Sequence, residues 1–310
     1  MELRRRVRVV DRVPVAEGVV QLDLASRDGE QLPAWRPGAH IDLCGPDGLV
    51  RQYSLCGDVD ARSWRVAVLR VSDGRGGSRW VHDELGVGSE LEVSGPRNHF
   101  ELDLGVDHLF LAGGIGITPL LPMAREAARA GVEWRLVYGG RSRASMAFLA
   151  EVAALGEGRV DVVPQDECGL IDLAAVFGAP RPGRVVHCCG PEPLLAAVEA
   201  FLRDRPEELH LERFSAGAST EGEAFEVEIA SSGRRIRVPE GCSIIEALTG
   251  AGVAVDFSCA EGTCGTCETG VLGGVPDHRD VVLTEEEKAS GDVMMICVGR
   301  CLEGPLVLDL

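Results

Sequence analysis

No run of eighteen uncharged apolar residues occurs anywhere in this chain of 310 residues, which excludes a membrane-crossing helix of ordinary length. The start, "MELRRRVRVV", is basic but carries no apolar core of signal-peptide length, so the cytoplasm is the expected compartment. Positive charge is also short, with 31 basic residues against 49 acidic ones and a formal net charge of -18. A polyanion would be repelled over its whole approach, so nucleic acid is excluded as a partner and a basic protein patch is favoured. No internal repeat and no long low-complexity segment is present.

Cysteine is not scarce. Eleven cysteines, an odd number, do not read as a disulfide framework in a cytosolic chain, whose thiol pool keeps such bonds reduced; ligation is the leading use of clustered ones. In "CAEGTCGTC", Cys259, Cys264 and Cys267 are spaced C-x4-C-x2-C, and Cys297 follows in "MICVGRC". That spacing matches the plant-type 2Fe-2S ligand pattern. Gly262 and Gly265 let such a loop fold tightly enough for amides to point at sulfur. Structural zinc is the alternative, although its usual paired C-x2-C knuckles are absent. Cys301 offers another fourth ligand but is read as a core or surface thiol. Cys44, Cys56, Cys168, Cys188, Cys189 and Cys242 read as small core residues.

At 45% hydrophobic residues, a chain of this length can bury two or three cores. The first hundred residues read as short strands between Gly, Pro and Asp turns: "RRVRVVDRV", "VVQLDLAS", "HIDLCG", "LVRQYSLCG", "WRVAVLRV" and "ELEVSGP". They predict an antiparallel β-barrel over residues 1–102. Strand, glycine turn and helix then alternate from "HLFLAGGIGITPLLPMAREAARAG" to "RVVHCCGPEPLLAAVEAFLRD", which predicts an α/β doubly wound parallel sheet over 103–214. "SAGASTEGE", 215–223, reads as a linker. Residues 224–310 follow as two strands, a helix "SIIEALTGAG", the cysteine loop and a short closing strand "GPLVLDL". This last third carries 15 acids and 6 bases, against 16 and 14 in residues 1–102.

Other stretches suit bound anions and rings. "RQYSL" presents Arg51, Gln52, Tyr53 and Ser54, an arginine for a phosphate, an aromatic to lie along a ring and a hydroxyl to reach a ring nitrogen. "DGRGGSRW" sets Gly74, Arg75, Gly76, Gly77 and Ser78 at the start of a helix, an anion nest or else a plain hairpin loop. In "LAGGIGITPLL", Gly113, Gly114 and Gly116 would let a diphosphate approach the backbone while Thr118 and Pro119 open a helix; the motif is not GxGxxG, and such turns are common in α/β folds. "HCCGPEPLL" supplies Cys189, Gly190 and Pro191, and "YGGR" ends at Arg141, where an adenosine ribose or phosphate would lie. His40, His82, His99 and His278 read as exposed surface or turn residues.

Taken in order, "RQYSL", "GRGGS", "SGPRNHF", "LAGGIGITP", "CGPEPLL" and the cysteine loop resemble the phthalate dioxygenase reductase and vanillate O-demethylase reductase family, within the ferredoxin-NADP reductase superfamily. The resemblance spans nearly the whole chain. It implies a multidomain fold of flavin-binding β-barrel, nucleotide domain and C-terminal α+β β-grasp ferredoxin domain. It implies FMN as the flavin, with Arg75, Gly77 and Ser78 on its phosphate, and Cys189 with Phe214 near flavin and nicotinamide. NADH is the implied donor, while Arg141 and Arg143 leave NADPH open. Hydride carries two electrons and a 2Fe-2S cluster takes one, so a flavin must convert between them, and no acid or base catalyst is assigned. The implied partner is the terminal component of a Rieske-type aromatic oxygenase or O-demethylase, and the implied state is a monomer. A haem monooxygenase as acceptor, or a non-catalytic iron-sulfur redox sensor, are the alternatives.

Overall fold

Period-two alternation of β-branched and charged residues opens the chain. A computed structural model, which describes residues 4–72, 76–156, 158–214, 221–257 and 259–310, resolves that pattern into strands. Gly74, Arg75 and residues 215–220 of the expected linker lie outside the described residues. Strands β1 (Arg5–Ala16), β2 (Val19–Ser26), β3 (Ala39–Cys44), β4 (Val50–Ser54), β5 (Trp64–Leu69) and, after helix α1 (Gly77–Glu84), β6 (Glu90–Asn98) pair antiparallel in the order β4-β3-β6-β1-β2-β5. A bridge from Leu55 to Val66 joins the two edges, so the sheet closes around Val, Leu and Trp side chains. Trp80 and Val81 of α1 are buried in that core.

Apolar runs too continuous for a half-exposed strand then form a parallel sheet covered on both faces. Its elements are β7 (Asp107–Gly113), α2 (Ile117–Ala130), β8 (Trp134–Gly140), α3 (Leu149–Ala153), β9 (Val160–Pro164), α4 (Gln165–Cys168), α5 (Leu173–Phe177), β10 (Arg184–Cys189), α6 (Glu192–Leu202) and β11 (Glu208–Glu212). The strand order is β11-β10-β7-β8-β9, doubly wound about β7. One face packs on α2 and runs into barrel residues Val19, Cys56 and Ala67; the other packs on Phe177 of α5 and Leu195 and Val198 of α6. An ionic cluster also joins the two sheets: Arg65 of β5 meets Asp23 and Glu151, Arg125 of α2 meets Glu151, and Arg129 reaches Asp58 at 2.7 Å.

The chain divides into one compact unit ending at Glu212 and a second starting at Arg213, just before the boundary read from the sequence. The second unit contains β12 (Phe225–Ile229), β13 (Arg234–Val238), α7 (Ile244–Gly250), β14 (Glu268–Asp277), α8 (Glu285–Ser290), β15 (Val293–Met295) and β16 (Arg300–Leu308), in the sheet order β13-β12-β16-β14-β15. Capping boxes start both helices, Ser243 with Glu246 and Thr284 with Glu287. The closing strand is longer than "GPLVLDL", and β14, β15 and α8 were not legible. Glycines in "ETGVLGGVPD" hide β14, whose register slips beside them while it pairs with β16. No helix among the described residues is long and apolar enough to cross a membrane.

Candidate functional site

In a doubly wound sheet, ligands bind beyond the carboxyl ends of the strands, where the order reverses. Here the reversal lies between β7 and β10, which end at Gly113 and Cys189. The two turns touch. A Cβ on Gly113 would come within 2.6 Å of Pro191 Cδ, one on Gly116 within 2.1 Å of the Cys189 carbonyl oxygen, and one on Gly190 within 2.9 Å of Gly113 Cα. These three glycines are therefore required by turn-to-turn packing, a reason the sequence alone did not supply. Gly114, with φ +55° and nothing within 4 Å of where a Cβ would stand, is the one open to the crevice. Thr118 is buried and donates to the Ile115 carbonyl oxygen at 3.0 Å, bracing the turn.

The barrel reaches the same place. Ser54, at the end of β4, donates to Glu212 Oε2 at 3.5 Å, and the Cys189 thiol lies 3.9 Å from the same oxygen. One carboxyl group thus joins the barrel to β10 and β11. Burial pushes its pKa up to about 8, against the pull of Ser54 and Cys189, so Glu212 holds a proton at neutral pH. The Cys189 thiol is pushed up by burial and then by Glu212, and stays protonated. Glu212 was not singled out in the sequence, because "ELHLE" alternates like an ordinary strand with one wet face.

The "RQYSL" and "GRGGS" stretches also meet. A Cβ on Gly77 would come within 2.3 Å of Arg51 Cγ, so the arginine stem lies on the start of α1, and its Nη1 donates to the Val50 carbonyl oxygen at 2.7 Å. Gly76 caps the helix with φ +85°, and the first turn carries no acid. That end fits a phosphate: aligned amides, a nearby guanidinium and no acid in the first turn of the helix. Ser78 accepts from the Val71 N–H at 3.0 Å. Gln52 donates to Asp42 at 3.2 Å, and Tyr53 packs half-buried on the barrel core. Arg141 is exposed past β8, whereas Arg143 is held by Glu167 at 2.9 Å. Phe214 is 41% exposed and belongs to the second unit.

In the second unit Cys259, Cys264, Cys267 and Cys297 are all buried. Amides of Glu261 and Thr263 point at Cys259 Sγ from 3.3 and 3.5 Å, and Cys264 Sγ lies 3.3 Å from Thr266 Oγ1. Hydrogen bonds from Cys264 and Cys297 pull the Cys259 thiol far down, and the bond from Cys297 pulls Cys267 down. Four buried cysteines within hydrogen-bonding reach of one another, with backbone amides aimed at Cys259 Sγ, fit an iron-sulfur centre. Cys301 instead donates to the Gly304 carbonyl oxygen at 2.7 Å.

Several histidines and cysteines sit elsewhere than expected. His40 is 6% exposed, and the His278 side chain is 9% exposed, so neither is a surface residue. His82 is half-buried against the Val68 carbonyl oxygen, 2.9 Å away, and of the four only His99 is exposed. Cys56 and Cys188 are core thiols, but Cys168 is exposed on the short helix α4 and Cys44 and Cys242 are half-buried.

A ring-and-nucleotide crevice in one unit and a four-thiol pocket in the other define the class: an electron-transfer oxidoreductase. Residues 227–301 match the 2Fe-2S iron-sulfur cluster binding domain. The chain is 45% identical to the phenoxybenzoate dioxygenase subunit beta of Ectopseudomonas oleovorans over 95% of its own length and 94% of that protein. Among solved structures it is similar to phthalate dioxygenase reductase, described as modular for electron transfer from pyridine nucleotides to [2Fe-2S], with TM-score 0.76, 36% identity and coverage of 99% and 98%. It is also similar to an intact type IV self-sufficient cytochrome P450 monooxygenase, with TM-score 0.88 and 42% identity, where 99% of this chain covers 41% of that one. The chain belongs to the phthalate dioxygenase reductase family, the electron-transfer reductase components of oxygenase systems.

Proposed function

We propose that this protein takes electrons from NADH into FMN, held where the barrel meets the parallel sheet, and passes them through its 2Fe-2S centre to a terminal Rieske-type oxygenase or O-demethylase. Residues 1–102 are assigned to FMN, 103–214 to the nucleotide, 215–223 to the linker and 224–310 to the cluster. The contact of Ser54 and Cys189 on Glu212 carries this reading, because it ties the flavin-type strand of the barrel to the nucleotide-type turn of the sheet. When bound, the flavin would accept one hydride, with its two electrons, and give those electrons up singly, as the cluster requires.

The residues around it have separable tasks. Arg51, Gly76, Gly77 and Ser78, with Gly74 and Arg75 before them, hold the flavin phosphate at the start of α1; Gln52 and Tyr53 shape the ring's bed. Gly114 admits the dinucleotide, Gly113, Gly116, Gly190 and Pro191 hold its two turns together, and Arg141 reaches the adenosine end. NADH is preferred over NADPH because Arg143 is committed to Glu167, leaving Arg141 without its nearest helper for a 2′-phosphate. Cys189 offers a small thiol where two rings stack, Glu212 keeps the crevice uncharged, and Phe214 is assigned to the flavin face. The protein works as a cytoplasmic monomer.

Anaerobic titration of the purified holoprotein with NADH and then NADPH tests this in one experiment. Flavin bands bleaching first with NADH, followed by the cluster absorbance, is the expected course; absence of flavin bands, or no bleaching by either nucleotide, defeats the reading and leaves a redox sensor. Similarity to a self-sufficient P450 favours a second acceptor, a haem monooxygenase. Product formation with purified Rieske and P450 components decides between the two.

A further inference from the structure

We propose that His278 and Asp280, side by side in a water-excluded space beneath the cysteine loop, form a positioning pair that locks this loop around the iron-sulfur centre. The inference rests on reading Cys259, Cys264, Cys267 and Cys297 as the cluster ligands. The Asp280 side chain has no exposed surface, and one of its oxygens, Oδ2, accepts from the N–H groups of Val282 at 3.1 Å and Leu283 at 2.9 Å. That fixes the turn leading into α8. The turn is in turn fixed to the loop, since the Val281 N–H donates to the Gly262 carbonyl oxygen at 3.0 Å. Packing there is close: a Cβ on Gly262, where φ is +73°, would come 3.1 Å from Asp280 Cα and 2.7 Å from a methyl of Val298, which directly follows Cys297. Asp280 is therefore built into the wall against which the ligand loop rests.

Three polar atoms in this wall are left over. Asp280 Oδ1 and both ring nitrogens of His278 are buried and have no hydrogen-bond partner among the described residues, and Nδ1 stands 4.0 Å from Oδ1. Buried polar atoms are rarely left so, because each forfeits its bonds to water. Nearby, Asp277 pairs with Arg279 at 2.7 Å, and Arg279 also donates to the Glu221 carbonyl oxygen at 2.7 Å. A closing shift of about 1 Å brings Nδ1–H and Oδ1 to ordinary hydrogen-bond length. Such a bond holds Asp280 in place, and through it Val281 and the Gly262 carbonyl to which Val281 donates. Outer-shell partners of this kind commonly change metal retention by about 10–100-fold.

The test uses the full-length holoprotein and the variants His278→Ala, His278→Gln, Asp280→Asn and the double variant His278→Ala/Asp280→Asn. Asparagine keeps an acceptor for Val282 and Leu283 but removes the charge facing His278, so it preserves the turn. Loss of cluster absorbance to an iron chelator and the electron paramagnetic resonance spectrum of the reduced protein are measured. His278→Ala and Asp280→Asn are each expected to release iron about tenfold faster than wild type with shifted g-values, the double variant no faster than either single one, and His278→Gln partly restored. Wild-type release and spectra in both single variants overturn the pair, as does additivity in the double variant. A wild-type protein without a 2Fe-2S spectrum defeats the ligand reading instead, which separates the two failures.

Discussion

Glu212 is a carboxyl group whose pKa, raised by burial to about 8, puts its change of charge just above neutrality. Below pH 8 it is neutral and holds Ser54 and Cys189 without drawing water into the crevice; above pH 8 a carboxylate forms among groups built for a neutral one. The rate of flavin reduction by NADH, followed by stopped flow, is expected to fall as pH rises from 7 to 9 in wild type. In Glu212→Gln the fall disappears and the neutral-pH rate stays near that of wild type, because glutamine is uncharged at every pH. A pH profile unchanged by the substitution would remove Glu212 from the site. At the other centre, Cys264→Ser is expected to abolish cluster absorbance while NADH-to-ferricyanide turnover persists, since that turnover needs only the first unit. The cysteines were legible because cluster spacing is local in the chain. Glu212 was not, because its meaning comes from Ser54, 158 residues away, arriving at the same oxygen.

Among the elements, the paired turns after β7 and β10 and the imidazoles beneath them matter most to the crevice. Gly116→Ala places a methyl 2.1 Å from a backbone oxygen that cannot rotate aside, so the turn around Cys189 must move. A stability loss of about 1–3 kcal/mol is expected in urea melts, together with a higher KM for NADH. His187 of β10, fully buried, is flanked by His108 at 5.4 Å and His210 at 5.1 Å between ring centroids, and its Nε2 donates to the Glu101 carbonyl oxygen at 2.9 Å. Burial lowers its pKa from 6.5 to about 3. Because the folded pKa lies below the unfolded one, the neutral imidazole's stabilisation is complete above pH 6.5 and is lost as pH falls toward 3, where only the unfolded chain takes up the proton. His187→Phe is expected to lose about 2 kcal/mol less than wild type between pH 7 and pH 5. Equal acid sensitivity in the two proteins would refute this account. Strands β1 to β10 could be seen in advance because alternating or continuous apolar runs announce them. Strand β14 could not, because its glycines and slipped register have no period to read, and its stability comes from β16.

The whole molecule carries its negative charge unevenly, with 15 acids against 6 bases in residues 224–310. An acidic electron-delivering domain suits a basic docking patch, and such encounters are fast, weak and screened by salt. Reduction of the true acceptor is therefore expected to slow several-fold between low and physiological ionic strength, while ferricyanide reduction changes little. Equal salt responses would argue against charge-guided docking. This property follows from composition and needs no coordinates. So do the three-part order of the chain, the four-cysteine spacing and the class of fold, because each is written in residues close together in sequence. Tertiary structure alone decided that Glu212 joins the two halves of the crevice, that glycines 113, 116 and 190 serve turn packing, and that His278 lies buried beside Asp280. Those facts depend on which distant strands become neighbours, and burial and hydrogen bonding acquire values only once they do.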